Sequence, residues 1–357
     1  MKGKTEACMF TRLFSMLDFY YFRAGKSLTQ NRILMKKAAF IIVTLLFAIK
    51  TQAQQEVNID PSLTESPVSV KTLSGRISGS LVMPKNVSGK IPVVLLVADA
   101  GPTDRDGNNI KTGVAGNSYK LLANSLGLKG IATVRYDKRR VGQSETLTKE
   151  SQLRFEDYGD DAVSLIIMLN DDPRFSKIIL FGHGEGALVS ILSSIDEPVK
   201  GFISAEGTAE TGEKILFNEM KSKPKLLADE FKTIMDSLKK GKTTDNIDPS
   251  LYYIARPSVQ YFLMTWCRYD PIKAIKALKI PVLIIQGTTD LQIPATNGER
   301  LKKAKSDAGF LVVKDMNHIL KEAPADPDQN AATFGKPDLP LKPEMVTGIV
   351  DFVNRVK

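Results

Sequence analysis

Five short, unbroken apolar runs along the chain predict strands that are buried on both faces. They span 91–98, 130–136, 177–182, 280–287 and 309–315. Continuous Val, Ile and Leu runs of this length are typical of parallel sheets, whose two faces are covered by helices. An alternating stretch at 68–84, interrupted by Gly75 and Gly79, precedes them and predicts an antiparallel hairpin.

Helical patterns lie between these runs. The clearest are 117–128, 155–169 and 344–356, and the last of these begins after Pro343, a residue favoured in the first turn of a helix. Strands that alternate with helices indicate the α/β class, with a mostly parallel central sheet flanked by helices.

One segment, at about 208–278, interrupts this alternation. Its first half is helical and rich in lysine, its second half is aromatic, and it contains no buried-strand pattern. An insertion of this kind between two core strands predicts a helical cap. The aromatic residues would line a substrate pocket or form the apolar underside of the cap, and the pattern is compatible with both.

The N-terminal region has the pattern of a secretory leader at 35–53. Two lysines precede an apolar run at 38–49, and a small-residue cleavage site ends at Ala53. The run is shorter than the roughly 20 residues that a membrane-spanning helix needs, so we expect a cleaved signal peptide rather than a stable anchor. An uncleaved interfacial or buried helix is the alternative. Residues 1–34 form an upstream extension of unclear role, and 54–357 form the remaining domain.

Cleavage after Ala53 changes the charge of the protein. The first 53 residues carry nine basic and two acidic side chains, so their removal lowers the formal net charge from +9 to +2. A nearly neutral chain gives no support for nucleic-acid binding. The leader predicts export to the periplasm or the medium, and the one remaining cysteine, Cys267, forms no internal disulfide.

The stretch KIILFGHGEGALVS, from Lys177 to Ser190, has the strand, glycine-rich turn and helix start of a nucleophile elbow. In the G-x-S-x-G pattern the serine stands between two glycines, here Gly182 and Gly186, but position 184 is glycine. Downstream, Asp290 follows one predicted strand and His318 follows the next. This is the order in which the acid and the base of a catalytic triad follow such an elbow.

These motifs resemble the α/β-hydrolase superfamily, in particular bacterial enzymes of the serine-aminopeptidase-like or secreted carboxylesterase type. AGPTDRDGNN (100–109) is similar to their oxyanion loop, RYDKRRVGQSE (135–145) to the loop after the next strand, and HILKEAPADP (318–327) to their histidine loop. The resemblance runs from about residue 68 to the C-terminus. It implies an α/β-hydrolase fold, hydrolysis of small acyl esters, and no cofactor.

The resemblance also assigns roles to individual residues. His318 would be the base and Asp290 the acid that orients it, the backbone amides of Ala100 and Glu185 would form the oxyanion hole, and Gly184 would mark the vacant nucleophile position. Asp99 departs from the family pattern, which usually has glycine there. A carboxylate near the oxyanion hole would oppose developing negative charge unless it pointed away or were protonated.

Three interpretations of Gly184 remain open at this stage. The protein is an esterase-lineage hydrolase with weakened or lost activity, in which His318 would activate water directly, because a missing nucleophile closes the acyl-enzyme route. Alternatively, it is a catalytically silent hydrolase fold that binds a ligand or partner in the former active site. The third interpretation is an isolated change at position 184 in an otherwise ordinary enzyme.

Two other features have simpler explanations. The segment TDRDG (103–107) alternates acids in the manner of a calcium loop but lacks the closing glutamate, so Arg105 and Asp106 are predicted to stabilise the loop. Cys267 lies between Trp266 and Arg268 and is predicted to be a buried apolar residue rather than a substitute nucleophile. After removal of the leader, two histidines and one cysteine supply too few ligands at suitable spacing to predict a metal site.

Overall fold

The computed structural model of the protein describes residues 57–357. The predicted extension at 1–34 and the predicted signal peptide at 35–53 lie outside the described residues. Within 57–357, no helix combines the length and the apolar character needed to cross a bilayer.

The core is a nine-stranded sheet. The strands are β1 Leu63–Thr72, β2 Gly75–Pro84, β3 Ile91–Val97, β4 Ala132–Tyr136, β5 Glu145–Thr146, β6 Phe175–His183, β7 Val199–Ala205, β8 Val282–Gly287 and β9 Gly309–Val313. They lie in the order β1-β2-β4-β3-β6-β7-β8-β9, with the short β5 paired to β2. In this order β1, β2 and β4 pair antiparallel, and each neighbouring pair from β4 to β9 is parallel. The α/β class and the α/β-hydrolase arrangement predicted from the sequence are therefore confirmed.

Helices cover both faces of the sheet, which explains why most of the parallel strands are apolar on both sides. The helices are α1 Ser118–Gly127, α2 Glu156–Asn170, α3 Glu185–Ser193, α4 Gly212–Met220, α5 Lys225–Lys239, α6 Tyr252–Ala255, α7 Gln260–Trp266, α8 Pro271–Ala277, α9 Thr296–Ala304, α10 Pro327–Ala331 and α11 Pro343–Arg355. Residues of α2, α3, α8 and α9 join a buried cluster on one face of the sheet, and residues of α1 and α11 join the cluster on the other face.

The sequence pattern missed β7. Lys200 and Gly201 interrupt the run that begins at Val199, and only Phe202, Ile203 and Ala205 remain as apolar residues beyond them. A run this short is below the usual length of a predicted strand. The neighbouring strands β6 and β8 complete its hydrogen bonds on both sides, so tertiary pairing decides its conformation.

The segment between β7 and β8 is helical and has a hydrophobic cluster of its own. In α5 the buried side chains Phe231, Ile234, Met235 and Leu238 recur at helical spacing and pack into this cluster. An apolar stripe of this period buries one face of the helix while its lysines remain in water. We call 208–278 the helical insertion.

Candidate active site

The turn after β6 has the geometry of a nucleophile elbow without a nucleophile. Gly184 lies between β6 and α3 with φ 52° and ψ −117°, a left-handed conformation that glycine adopts at little cost. Gly182 and Gly186 meet at close range, since a Cβ on Gly182 would lie 2.4 Å from the carbonyl oxygen of Gly186. The tightness of the turn therefore requires glycine at position 182, and the close approach of the Val97 carbonyl oxygen, 2.3 Å from a Cβ on Gly186, requires it at position 186.

The structure brings His318 and Asp290 together as the sequence predicts. Nδ1 of His318 lies 2.7 Å from Oδ2 of Asp290, and both side chains are buried. The other carboxylate oxygen of Asp290 accepts hydrogen bonds from the backbone amides of Gln292 and Ile293, at 2.7 and 2.8 Å. These amides fix the carboxylate, which in turn fixes the imidazole ring.

Asp99 occupies the space where the side chain of a serine at position 184 would lie. It follows β3, and its Oδ1 would be only 1.9 Å from a Cβ placed on Gly184. Oδ1 accepts the backbone N–H of Glu185 at 3.0 Å, and Oδ2 lies 3.0 Å from Nε2 of His318. A side chain from a neighbouring strand thus contacts both the predicted base and a predicted oxyanion donor.

The charges of this cluster stabilise one another. Burial opposes the charged form of His318, but Asp290 and Asp99 outweigh it and raise the pKa of the imidazole well above its usual value. Burial also opposes ionisation of Asp99, yet the charge and hydrogen bond of His318 hold the pKa of that carboxyl well below its usual range. His318 is therefore an imidazolium between two carboxylates, and in this state it has no lone pair with which to act as a base.

The predicted oxyanion donors both face Asp99. The N–H of Glu185 binds Oδ1 directly, and the amide of Ala100 contributes to the low pKa of the Asp99 carboxyl. The Glu185 carboxylate pairs with Nζ of Lys138 at 3.0 Å. Lys138 also donates to the carbonyl oxygen of Asp99 at 2.9 Å, so it anchors both residues.

His183 of the elbow connects the two sides of the site. Burial lowers its pKa to about 4, so the ring is neutral and carries one N–H. That N–H, on Nε2, donates to the carbonyl oxygen of His318 at 2.7 Å, and Nδ1 accepts the hydroxyl of Tyr119 at 2.7 Å. The same hydroxyl accepts the backbone N–H of Asp99 at 3.0 Å. This chain of hydrogen bonds fixes the positions of Asp99 and His318 relative to each other.

Glu206 is a buried site residue that the sequence interpretation missed. It follows β7 at φ 50°, and Oε1 accepts the backbone N–H of Gly287 at 2.7 Å. Burial, followed by the nearby Asp290, raises the pKa of Glu206 well above its usual value, which favours the neutral acid beside the Asp290 carboxylate. An acid at the end of a parallel strand was the available clue, but β7 was not recognised.

A cleft of about 400 Å³ lies beside the elbow, between the sheet and the helical insertion. Gly101 and Glu185 reach it from the two strand ends, and Phe262 reaches it from the insertion. At least part of the aromatic stretch therefore lines a cavity. The remaining lining residues are Pro102, Lys111, Arg139, Arg140, Val141, Glu150, Leu153, Tyr158, Arg256 and Val259.

The residues considered for metal or thiol chemistry have other partners. Arg105 pairs with Asp137 at 2.6 Å and Asp106 pairs with Arg135, so both stabilise the loop through ion pairs. Within 57–357, no three His, Cys, Asp or Glu side chains converge as a metal site would require. Burial raises the pKa of the Cys267 thiol to about 12, which makes its thiolate scarce.

Comparisons with known proteins agree with this architecture. A family model described as serine aminopeptidase, S33, matches residues 113–322, which include Gly184, Asp290 and His318. Esterase EstD from Thermotoga maritima is 27% identical over 281 residues, covering 76% of this chain and 64% of EstD. The chain thus spans somewhat less than two thirds of that relative.

Solved structures share the fold at low sequence identity. Est1E from Butyrivibrio proteoclasticus has a TM-score of 0.52 at 14% identity, with 81% of this chain and 99% of that chain covered. An esterase from Pyrococcus furiosus has a TM-score of 0.53 at 14% identity, with 85% and 96% covered. At this identity the likeness concerns the fold alone.

Proposed function

The chain belongs to the serine aminopeptidase S33 family of α/β-hydrolases, and from this premise we propose that it is an esterase-lineage protein whose hydrolysis of small acyl esters is weakened or lost. The observation that carries the proposal is the position of Asp99. Its carboxylate fills the place of the absent serine side chain and contacts His318 and the Glu185 amide.

Three steps of serine-based ester hydrolysis are affected. Gly184 offers no hydroxyl to form an acyl-enzyme. The Asp99 carboxylate places negative charge where the oxyanion of a tetrahedral intermediate would need stabilisation. His318 is already protonated, so it takes no proton from an attacking water at neutral pH.

The same geometry weighs against an isolated change at position 184. A serine there would place its Cβ 1.9 Å from Oδ1 of Asp99, so the original residue does not fit while Asp99 keeps its position. Gly184 and Asp99 are complementary to each other, which supports a site altered at both positions.

The test is hydrolysis of p-nitrophenyl acetate and butyrate by the unmodified protein, Gly184→Ser, Asp99→Gly, and the double variant, with His318→Ala as the background. We expect the unmodified protein and Gly184→Ser to stay near that background, because Asp99 obstructs the new hydroxyl. The double variant should gain roughly 10²-fold or more, since removal of the triad serine from a serine protease lowers kcat by roughly 10⁶-fold.

The control for this gain is the triple variant with His318→Ala, which should lose it. If the unmodified protein were active and His318→Ala were not, the proposal that hydrolysis is lost would be refuted. The result would establish a slow reaction in which water is the direct nucleophile. Full recovery in Gly184→Ser alone would show that Asp99 moves aside readily and does not block the site.

A second candidate function is ligand binding in the former active site. The observation that favours it is the cleft of about 400 Å³, which remains beside the blocked catalytic centre. This volume is within the range of small-molecule sites. A ligand there would contact the elbow at Glu185 and the insertion at Phe262 without any need for turnover.

Export is part of the proposal and is supported by the leader pattern at 35–53. Expression in a bacterial host followed by N-terminal sequencing of the exported protein tests it. We expect a mature chain that begins at Gln54, after the small-residue site at Ala53. Recovery of the uncut chain from the cytoplasm would contradict export.

A further inference from the structure

The cleft beside the elbow has an excess of positive charge that its own acids do not neutralise. Four basic side chains line it, Lys111, Arg139, Arg140 and Arg256, against the two acids Glu150 and Glu185. Each acid already has a basic partner. Glu150 pairs with Arg256 at 2.6 Å, and Glu185 pairs with Lys138 at 3.0 Å.

Arg139 is also neutralised, because it turns away from the cleft into the core. Its Nε donates to Oδ2 of Asp161 at 2.6 Å, and its Nη1 lies 3.4 Å from Oδ1 of Asp157. Lys111 and Arg140 are left, and neither forms a salt bridge with any carboxylate in the part of the chain described, 57–357.

The backbone presents Arg140 to the cleft at an energetic cost. Its φ of 66° is in the left-handed region, which non-glycine residues seldom adopt. The surrounding turn fixes it, since the amide of Val141 donates to the carbonyl of Lys138 at 3.0 Å and the amide of Gln143 donates to Asp137 at 2.9 Å. Among the residues that the structure describes, the guanidinium makes a single long hydrogen bond, 3.4 Å to the carbonyl of Thr148.

Part of the cleft wall is apolar. Leu153, Tyr158, Val259 and Phe262 line the same cleft as the two basic groups without a salt bridge. A ligand that fits this surface has an apolar body and one anionic end. A guanidinium and an ammonium group both bind carboxylates through charge-assisted hydrogen bonds.

We infer that this cleft binds small organic carboxylates with an apolar alkyl or aryl body, anchored by Arg140 and Lys111. The inference rests on the proposed function only in placing the ligand in the former substrate cleft, and it requires no catalysis. An ester bearing a free carboxylate would be bound by the same two groups.

The probe pair is 4-phenylbutyrate and its neutral amide, which have nearly the same shape and differ in charge. Binding is measured by calorimetry and by the fluorescence of Trp266, the only tryptophan of the chain, whose ring stacks on Phe262 with centroids 6.3 Å apart. We expect the carboxylate to bind at least roughly tenfold more tightly than the amide, and salt to weaken only the carboxylate.

Variants identify the anchoring groups. Arg140→Gln and Lys111→Gln should each weaken phenylbutyrate binding by roughly three- to tenfold, a modest effect because both side chains are solvent-accessible. Arg140→Lys should keep most of the affinity, since it retains the charge. Lys314→Gln removes one exposed positive charge that does not line the cleft, and it should bind as the unmodified protein does.

Equal affinity for the carboxylate and the amide would overturn the inference, as would equal losses in Arg140→Gln and Lys314→Gln. Failure of both probes to bind at millimolar concentration would also overturn it. These outcomes are separate from the ester assays, because hydrolysis by the unmodified protein would refute the proposed loss of activity and leave the binding result unchanged.

Discussion

At the scale of single residues, Asp99 and Gly184 are complementary in shape. The missing side chain leaves room for the Asp99 carboxylate, which lies 3.0 Å from Nε2 of His318 and, together with Asp290, favours the charged ring. In a serine hydrolase the corresponding nitrogen must accept a proton from the nucleophile. Here that nitrogen faces a carboxylate instead, and the two carboxylates keep it protonated.

Histidine titration by NMR tests this arrangement, because the chain has only two histidines. In the unmodified protein at pH 7.5, we expect His318 to be doubly protonated and His183 to be neutral. Asp99→Asn removes one of the two carboxylates, so the pKa of His318 should fall while that of His183 stays low. The exposed variant Asp351→Asn is the control and should shift neither ring.

A neutral His318 ring at pH 7.5 in the unmodified protein would contradict the charge assignment. An unchanged His318 pKa in Asp99→Asn would show that Asp290 alone determines it, and that Asp99 does not contact the ring in solution.

At the scale of elements, the elbow depends on the close approach of β3, β6 and α3. A Cβ on Gly186, in the first turn of α3, would lie 2.3 Å from the carbonyl oxygen of Val97 in β3. The carbonyl belongs to the backbone of a central strand, so it has no room to move. The G-x-x-x-G spacing of the turn is therefore set by helix-to-strand packing, whatever residue stands at position 184.

Gly186→Ala should destabilise the protein by about 2 kcal/mol or more, because overpacking a rigid site costs about 1–3 kcal/mol. Gly159→Ala, within α2, is the matched substitution, since its new methyl group would meet only Ser193 Oγ at 3.6 Å. It should raise the stability by about 0.5–1 kcal/mol through helix propensity. Urea unfolding measures both, and similar effects in the two variants would refute the packing argument.

At the scale of the whole molecule, the three largest of four buried clusters in residues 57–357 hold the domain together, one on each face of the sheet and one within the insertion. Around the C-terminal part of the sheet, the buried Lys321 joins the histidine loop to the segment before α11. Its Nζ donates to the carbonyl of Lys336 at 2.7 Å, and no part of the residue is exposed. Burial lowers the pKa of Lys321 to about 8, against a small opposing effect of Asp338.

This lysine gives the stability a specific pH dependence. Between pH 8 and 10.5, Lys321 is protonated in more of the unfolded chains than of the folded chains. The contribution of Lys321 to the free energy of unfolding therefore rises with pH in this range. Below pH 8 the folded state bears the full cost of a buried charge. We expect the free energy of unfolding of the unmodified protein to increase relative to that of Lys321→Met between pH 7 and pH 9.5.

Urea unfolding of both proteins at the two pH values measures this difference. Lys314→Met removes an exposed lysine and should keep a constant difference from the unmodified protein across the same range. If Lys321→Met behaved in the same way as Lys314→Met, the pKa of Lys321 would be ordinary and the charge would not be buried.

The sequence by itself determined the sheet, the flanking helices and the order of the site residues. Apolar runs specify parallel strands because both faces must be buried, and strand ends place Gly184, Asp290 and His318 at one edge of the sheet. It did not specify β7, whose interrupted run forms a strand only because β6 and β8 pair with it. Glu206, at the end of β7, was missed for the same reason.

Only the tertiary structure decided what Asp99 does. From the sequence, the orientation of its side chain was open, because contacts between residues far apart in the chain leave no local pattern. In the folded protein, β3 and β6 lie side by side, and Asp99 reaches the vacant position at Gly184 and the ring of His318, 219 residues away. That long-range contact acts with Asp290 to keep His318 charged, and it thereby restricts the chemistry open to the site.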